Sequence, residues 1–328
     1  MHILLRSLVL SAAGALALGC APDVVSGDTS GGGGGSGGAT ASTSSTTSTT
    51  GEGGAGGTGP GPGTLTADWG PHSIPSGEEA VKCIVVALDN EETVLVRRFR
   101  TTLEEGSHHM IVYKSDKPPN PTPFACQSFG VQGGSAIFIA QQAESELVFP
   151  SDENGTPVGL ELGPHQSLTL EVHYINATAA PLDVKGTVTM DVLPATANVV
   201  KSGLLFQGNL SIPTIPAFGE ADTGMQFEQV PSGIRVFSLT THQHKLGTRM
   251  QVWHATDAND TSTPVADSTS WSDPPLMMYD PPLVFPADGS KGFAYDCHWK
   301  NPTDKAVSGG LSANDEMCFF WSYFYPSP

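Results

Sequence analysis

The stretch SLTLEVHY, residues Ser167–Tyr174, decides the fold of this 328-residue chain. It is short, most of its residues favour extended backbone, and turn-forming residues flank it, which is the pattern of a β-strand. The chain repeats the pattern in both directions, in stretches that include residues 80–86, 93–99, 186–192, 234–240 and 248–253. With 26 prolines and almost no segment of helical period, the sequence predicts an all-β fold of two tandem antiparallel β-sandwich domains, jelly-roll-like in form.

The first 20 residues predict an export signal that is not part of the fold. One positive charge within residues 1–6 precedes an apolar run at residues 8–18, which is too short to span a membrane as a mature helix. Small residues before Cys20 resemble a lipobox, in which the cysteine is lipidated and becomes the new N-terminus. We therefore expect an exported lipoprotein at the outer membrane or cell surface, with a periplasmic or secreted protein as the alternative.

Residues 21–64 are built from Gly, Ser, Thr and Pro without an aromatic residue, and this composition predicts a flexible tether. The remainder is long enough for an N-terminal domain at residues 65–194 and a C-terminal domain at residues 195–328. The net charge of −18 argues against a nucleic-acid partner and against electrostatic binding to anionic lipid. We expect a monomer that meets a membrane through its lipid anchor.

Beyond Cys20, the chain has four cysteines, two in each predicted domain. An even number of cysteines in an exported protein predicts disulfides, here one within each domain. No pair has the CxxC spacing of a zinc or redox motif, which argues against a thiolate metal site. The four residues are Cys83, Cys126, Cys297 and Cys318.

Two histidines and a methionine of the second half form one candidate set of metal ligands. His242 and His244 have the i, i+2 spacing that places side chains on one face of a strand. Met317 offers a soft thioether, which selects Cu(I), whereas imidazole also suits Cu(II), zinc or nickel. A site that mixes imidazole with thioether therefore indicates redox-active copper.

Three histidines of the first half form a second candidate set. His108 and His109 are adjacent, so both can bind one metal ion only if the backbone turns or bulges there, and Glu105–Ser107 supplies a bend. His173 can approach from a neighbouring strand. Taken singly, each of these ligands is more often a structural residue, and the set as a whole carries the prediction. The remaining histidines lie outside any ligand spacing and are expected to be ordinary polar residues: His72, His165, His254 and His298.

Four motifs together resemble the copper type II, ascorbate-dependent monooxygenase family over about residues 75–325. They keep the family's order and a domain-like spacing, which makes a chance coincidence improbable. The piece LEVHY and the ending FYP lean toward the dopamine-hydroxylating branch. The motifs are GSHHMIVY at residues 106–113, LEVHY at 170–174, THQHKLG at 241–247 and NDEMC at 314–318.

The resemblance implies two mononuclear copper sites that face each other across a solvent-filled cleft between the domains. His108, His109 and His173 match the ligands of the electron-transfer copper. In the second domain, the ligands of the copper that binds dioxygen are matched by His242, His244 and Met317. An external one-electron donor such as ascorbate reduces both ions. The resemblance also implies a Cys297–Cys318 disulfide, and we expect one bridge in the first domain, Cys83–Cys126.

The chain departs from the amidating members of the family at the positions that hold a peptide carboxylate. Where those members have Arg before the HxH pair, this chain has Thr240, and where they have Asn and Tyr after the ligand methionine, it has Phe319 and Trp321. We therefore expect a largely apolar, aromatic substrate pocket with Thr240 as a polar handle. Such a pocket makes a glycine-extended peptide a poor substrate.

Three functions of different classes follow from these residues. The favoured one is a tethered copper monooxygenase that hydroxylates a C–H bond of a small or peptide-like substrate with O2. The alternative is a non-catalytic surface lipoprotein that binds copper for sequestration or delivery. A structural double sandwich with incidental histidines is the third, and the retention of both ligand sets argues against it.

Overall fold

The computed structural model describes residues 63–127, 129, 134–312 and 314–327. The predicted signal segment, Cys20 and nearly all of the predicted tether lie outside these residues. The described residues form strands and no helix, which confirms the all-β prediction. Accordingly, this part of the chain has no helix suited to crossing a membrane. The first strand begins at Gly63, within the end of the predicted tether.

The first half folds into two antiparallel sheets within the described residues. One sheet has the order β1-β10-β3-β8, with β7 also paired to β3, and the other has the order β5-β2-β9-β4-β6. The strands are β1 (Gly63–Ile74), β2 (Glu79–Ala87), β3 (Val94–Leu103), β4 (Ser107–Ser115), β5 (Asn120–Ala125), β6 (Gly134–Ala140), β7 (Glu144–Val148), β8 (Val158–Leu162), β9 (Ser167–Ile175) and β10 (Leu182–Pro194).

The second half adds two further sheets in the described part of the chain. Their orders are β12-β20-β15-β18 and β13-β19-β16-β17, with β14 also paired to β19. The strands are β11 (Val200–Lys201), β12 (Gly203–Asn209), β13 (Glu220–Asp222), β14 (Gln226–Gln229), β15 (Ile234–His242), β16 (Gly247–Ala255), β17 (Ala266–Ser268), β18 (Leu276–Phe285), β19 (Gly292–Lys300) and β20 (Cys318–Pro326).

The predicted domain boundary falls in the turn that follows β10. The next strand, β11, still belongs to the first half, because it pairs in parallel with β8. Each half buries an apolar core between its two sheets, as the alternation of apolar residues along the strands requires. The sheets therefore pack as two sandwiches, in agreement with the β-sandwich prediction.

The two cores are not isolated from each other. Phe237, Tyr323 and Tyr325, from the second half, pack into the apolar core of the first half. A smaller apolar cluster joins Ile111 and its neighbours on β4 and β6 to Trp321 on β20. The sheet that contains β15 and β20 is thus buried on both faces, and the contact fixes where the ends of these strands lie.

The described residues contain two disulfides, as the even number of cysteines predicts. Cys83–Cys126 ties β2 to the segment after β5, and Cys297–Cys318 ties β19 to the first residue of β20. Disulfides of this kind are typical of proteins outside the reducing cytosol, which supports export. The second bridge also fixes the backbone immediately after Met317.

Candidate metal centre

A bulge in β4 brings the two adjacent histidines of the first half together. The pairing of β4 with β9 shifts between Ser107 and His109, which leaves His108 as the extra residue. Gly106, with a φ of 88°, makes the turn that precedes the bulge. The prediction of a bend or bulge at this point is therefore confirmed, and both imidazoles now meet His173 on β9.

The three rings of this first-half set are in mutual contact. The ring centroids of His108 and His109 are 5.2 Å apart, and those of His173 lie 5.3 Å and 5.1 Å from them. His109 and His173 are almost fully buried. Nε2 of His173 lies 3.4 Å from a carboxylate oxygen of Glu79. Its Nδ1 is therefore the ring nitrogen that remains for another partner.

The end of β15 and the turn after it place the two histidines of the second half. The rings of His242 and His244 have centroids 5.2 Å apart, and both side chains are buried. The Glu316 carboxylate holds this turn, because it accepts hydrogen bonds from the backbone N–H groups of His244 (3.0 Å) and Leu246 (2.6 Å). Met317 follows Glu316 directly and is itself fully buried.

Glu316 is a functional neighbour that the sequence reasoning missed, although it stands next to Met317. The same oxygen that accepts from the His244 N–H, Oε2, also accepts a hydrogen bond from the indole Nε1 of Trp299, at 2.9 Å. Burial raises the pKa of this carboxyl group to about 7, while the three donors favour its ionised form. The residue links the HxH turn to the segment that carries Met317.

The two histidine sets meet each other across the junction between the halves. The ring centroid of His242 lies 5.4 Å from that of His109 and 6.0 Å from that of His108, and the His173 and His244 centroids are 6.4 Å apart. The family resemblance had implied a solvent-filled space between the sets. The structure differs, because apolar and hydrogen-bonded contacts between the halves bring the rings together.

A cleft of about 490 Å³ between the halves reaches the edge of this histidine cluster. It is lined by His108 on one side and by Ser272 and Asp273 on the other. Trp271, from the second half, lies against His108 with ring centroids 5.5 Å apart. No spacing in the sequence pointed to Trp271, because it lies in an irregular segment between β17 and β18.

Each imidazole of the cluster has a buried ring nitrogen that can serve as a metal ligand. Within the described residues, a ring nitrogen of each histidine in the cluster is buried and has no hydrogen-bond partner. Such orphaned polar atoms are rare in folded proteins, because each one costs the free energy of its lost hydration. These atoms are Nε2 of His108, both nitrogens of His109, Nδ1 of His173, and Nε2 of His242 and His244.

Protonation of the cluster is suppressed by its surroundings. Burial, with a smaller contribution from the neighbouring imidazoles, lowers the pKa of His108 to about 3 and that of His244 to about 4. Burial likewise lowers the pKa of His109 and of His242 well below its ordinary value. A neutral imidazole is the form that binds a metal ion. The set of buried, neutral imidazoles thus fits a metal ion such as copper, and the buried Met317 follows directly after the Glu316 that anchors the HxH turn.

An apolar cavity of about 150 Å³ lies at the junction, next to the histidine cluster. Trp321 lines it together with Phe206 and Phe129. The ring of Phe129 also contacts His242, with centroids 5.2 Å apart. Phe319 stacks on Phe206 at 4.4 Å and does not itself line the cavity. No motif in the sequence indicated Phe129 or Phe206, because they lie far from the ligands along the chain.

Thr240 does not act as a free polar handle in this structure. It is buried, and its hydroxyl oxygen accepts a hydrogen bond from Nε2 of Gln141 at 3.0 Å. Gln141 belongs to the first half and was also missed by the sequence reasoning. The hydroxyl that was expected to face a substrate is therefore engaged by the protein itself.

The remaining histidines lie outside the cluster, as expected. Their partners are Tyr174 and Trp69 for His72, Phe285 for His254, and Asp296 for His298. His165 adopts a positive φ of 47° in the turn before β9. None of the four approaches the candidate ligands within the described residues.

Comparison with known proteins bears on the second half of the chain. Residues 196–328 match the family model described as copper type II ascorbate-dependent monooxygenase, C-terminal domain. The DBH-like monooxygenase protein 1 of Homo sapiens and that of Mus musculus are each 28% identical to this chain, over 190 and 193 residues. Each alignment covers 52% of this chain and 30% of the relative. The chain therefore spans less than a third of the length of these relatives.

The fold was also compared with solved structures. A crystal structure of the STIV MCP aligns with a TM-score of 0.36 at 7% identity, over 78% of this chain and 97% of that chain. The major capsid protein P2 of bacteriophage PM2 aligns with a TM-score of 0.31 at 8% identity, over 80% of this chain and 98% of that chain. Likenesses of this size carry no argument about function.

Proposed function

We propose, on the premise that residues 196–328 belong to the copper type II ascorbate-dependent monooxygenase family, that this chain is a copper-dependent monooxygenase. It hydroxylates a C–H bond of a small or peptide-like substrate with O2 and an external one-electron reductant such as ascorbate. The observation that carries the proposal is the buried cluster of imidazole nitrogens without partners. Every histidine in that cluster belongs to one of the two ligand sets that the sequence predicts.

The two ligand sets have different roles in this proposal. The set of His242, His244 and Met317 holds the copper that meets dioxygen, and the set of His108, His109 and His173 holds the copper that delivers electrons. Copper supplies the one-electron chemistry and the affinity for dioxygen. The protein keeps the imidazoles neutral, anchors the HxH turn on Glu316 and excludes water from most of the cluster by burial. Each set forms its own mononuclear site.

The substrate class follows from the junction cavity. A volume of about 150 Å³ with apolar walls suits one aromatic ring, since cavities of roughly that size bind benzene. Trp321 and Phe206 offer ring faces for stacking, and Phe129 places the cavity beside His242. Thr240 stands where amidating members of the family have a cation for a carboxylate. We therefore assign the protein an arylalkyl substrate with a benzylic C–H bond.

Export and anchoring complete the proposal. Two disulfides support a location outside the cytosol. Lipidation of Cys20, followed by the tether at residues 21–64, would hold the catalytic part away from the membrane surface. The protein then acts at the outer membrane or cell surface, with a periplasmic or secreted location as the alternative.

The test is a side-by-side assay of oxygen uptake and product formation with copper and ascorbate. An arylalkyl compound and a glycine-extended peptide are the two substrates. We expect kcat/KM for the arylalkyl compound to be higher by about ten- to a hundredfold, because a missing cation–carboxylate contact is worth roughly 1.5–3 kcal/mol. A clear preference for the peptide would overturn the substrate assignment.

Two variants test the division of roles. Met317→Ala should abolish hydroxylation while ascorbate still reduces the first-half copper, and His173→Ala should impair electron delivery while the second-half site still binds copper. Met278→Ala, at a half-exposed methionine, is the matched control. Full turnover in both variants would contradict the roles. Tight copper binding without turnover in the unaltered protein would favour the non-catalytic alternative.

A further inference from the structure

Gln141 reaches from the first half into the HxH segment of the second half. It follows β6 directly and its side chain is 5% exposed. Its amide nitrogen Nε2 donates hydrogen bonds to the backbone oxygen of Thr241 (2.9 Å) and to the hydroxyl of Thr240 (3.0 Å). Its amide oxygen Oε1 lies 2.5 Å from Nδ1 of His242. One side chain thus contacts three consecutive residues across the junction.

These contacts determine which way the amide points. A backbone oxygen can only accept hydrogen bonds, so the atom of Gln141 that faces Thr241 must be the amide nitrogen. The reversed amide would set two acceptors against each other there. The amide oxygen is therefore the atom that faces His242, and an amide oxygen also only accepts.

The orientation of the amide in turn determines the tautomer of His242. Nδ1 must carry the proton and donate it to Gln141, because the amide oxygen has no proton to give. The lone pair of the neutral ring then sits on Nε2, which is buried and has no partner among the described residues. This is the nitrogen through which His242 can bind a metal ion.

His244 reaches the same tautomer by a different route. Its Nδ1 lies 2.9 Å from the backbone oxygen of Asp315, within its own half of the chain. That contact is present however the halves are arranged. For His242, by contrast, the partner that fixes the tautomer belongs to the first half.

We propose that Gln141 is a positioning residue through which docking of the first half prepares His242 to bind metal. When the halves are packed together, the ring of His242 is held in one orientation and one tautomer. When the Gln141 contacts are broken, the ring is free to rotate and to place its proton on either nitrogen. The inference rests on the proposed function in that it takes His242 to be a copper ligand, but the tautomer itself is a property of the metal-free protein.

The first experiment examines the metal-free protein by NMR with ¹⁵N-labelled histidine. The unaltered protein should show His242 with its proton on Nδ1. In Gln141→Leu, which keeps the size of the side chain and removes both hydrogen-bonding groups, the signals of His242 should shift toward a mixture of tautomers. In Gln141→Glu, which keeps an acceptor for Nδ1, the original tautomer should persist. Gln142→Leu is the matched control, since the neighbouring Gln142 bonds Asp273 at the surface.

The second experiment measures Cu(I) affinity by competition with a chromophoric chelator, in a His108→Ala background that disables the first-half set. Loss of a group that orients a metal-binding histidine typically lowers metal affinity 10- to 100-fold. We expect a loss of that size in Gln141→Leu, a smaller one in Gln141→Glu and none in Gln142→Leu. An unchanged tautomer and an unchanged affinity in Gln141→Leu would overturn the proposal.

The two experiments separate this inference from the proposed function. If the tautomer changes in Gln141→Leu but no variant shows turnover, the positioning role stands and the monooxygenase assignment fails. If turnover is present and the tautomer is the same in all variants, the monooxygenase assignment stands and the positioning role fails. If Gln141→Leu fails to fold, Gln141→Met provides the same loss of hydrogen bonds in a flexible apolar side chain.

Discussion

A buried histidine cluster makes the stability of the metal-free protein depend on pH. Burial lowers the pKa of His244 to about 4, whereas an exposed histidine in the unfolded chain titrates near 6.5. Between these pH values the unfolded chain binds protons that the folded protein does not, so acid favours unfolding. His108, His109 and His242 act in the same direction, and together with His244 they outweigh Glu316, whose raised pKa acts in the opposite direction.

We predict that the free energy of unfolding of the metal-free protein falls as the pH is lowered from about 6.5 to about 4. Each of these histidines adds up to about 1.4 kcal/mol per pH unit to the slope. Urea unfolding across this range measures it. His244→Asn should flatten the dependence, because it removes one of the buried imidazoles. An unchanged slope in His244→Asn would contradict the prediction.

At the scale of elements, the turn and bulge at the start of β4 decide whether the first-half set can assemble. Gly106 has a positive φ of 88°, and a Cβ built there would lie 2.6 Å from a methyl group of Leu182. Gly77 also has a positive φ, of 74°, but a Cβ there meets open space. An alanine at either position would therefore adopt the same unfavourable left-handed backbone, but only at Gly106 would its Cβ be crowded by a neighbouring side chain.

We predict that Gly106→Ala destabilises the protein more than Gly77→Ala. The left-handed backbone costs an alanine about 1–2 kcal/mol at either position, and crowding adds about 1–3 kcal/mol at Gly106. Chemical denaturation measures both costs. Copper affinity of the first-half set should fall in Gly106→Ala and not in Gly77→Ala. An equal effect of the two changes would show that the turn is not what positions the histidines.

Strand patterning predicted the strands that carry His173 and His242, but it did not identify β4, which carries His108 and His109, or β20. The predicted strands at residues 167–174 and 234–240 correspond to β9 and β15. β20 reads as a continuous aromatic run because both of its faces are buried, with Phe320 in the core of the second half and Tyr323 in that of the first. Alternation therefore gave no signal there. β18 contains Pro281 and Pro282, which it tolerates as an edge strand.

At the scale of the whole molecule, the junction between the halves could not be predicted from the sequence. Periodicity shows which side chains share a face of a strand, but not which sheets of two domains pack together. The backbone N–H of Ile139 donates to the hydroxyl oxygen of Tyr323 at 3.1 Å, and Gln141 contacts the HxH segment two residues further along. These contacts bring the predicted ligand sets into one cluster, where the resemblance implied separate sites across a cleft.

The closeness of the two sets raises the question of how many copper ions the molecule holds. Candidate ligand atoms of His108, His109 and His242 lie within 4.8 Å of one another, so one ion shared by the two halves is a definite alternative to two. Five imidazoles and a thioether exceed the three or four donors that copper sites of this type use. We therefore expect two ions for each chain.

We predict that metal analysis after copper reconstitution gives two ions for the unaltered protein, because each half has its own set of ligands. His108→Ala should then retain one ion, in the second half, and Met317→Ala combined with His244→Ala should retain one ion, in the first half. If a single ion were shared by His108, His109 and His242, the unaltered protein would bind one ion and His108→Ala would weaken or lose it. The first pattern requires two sites that load independently, and the second would replace them with a single site built at the junction.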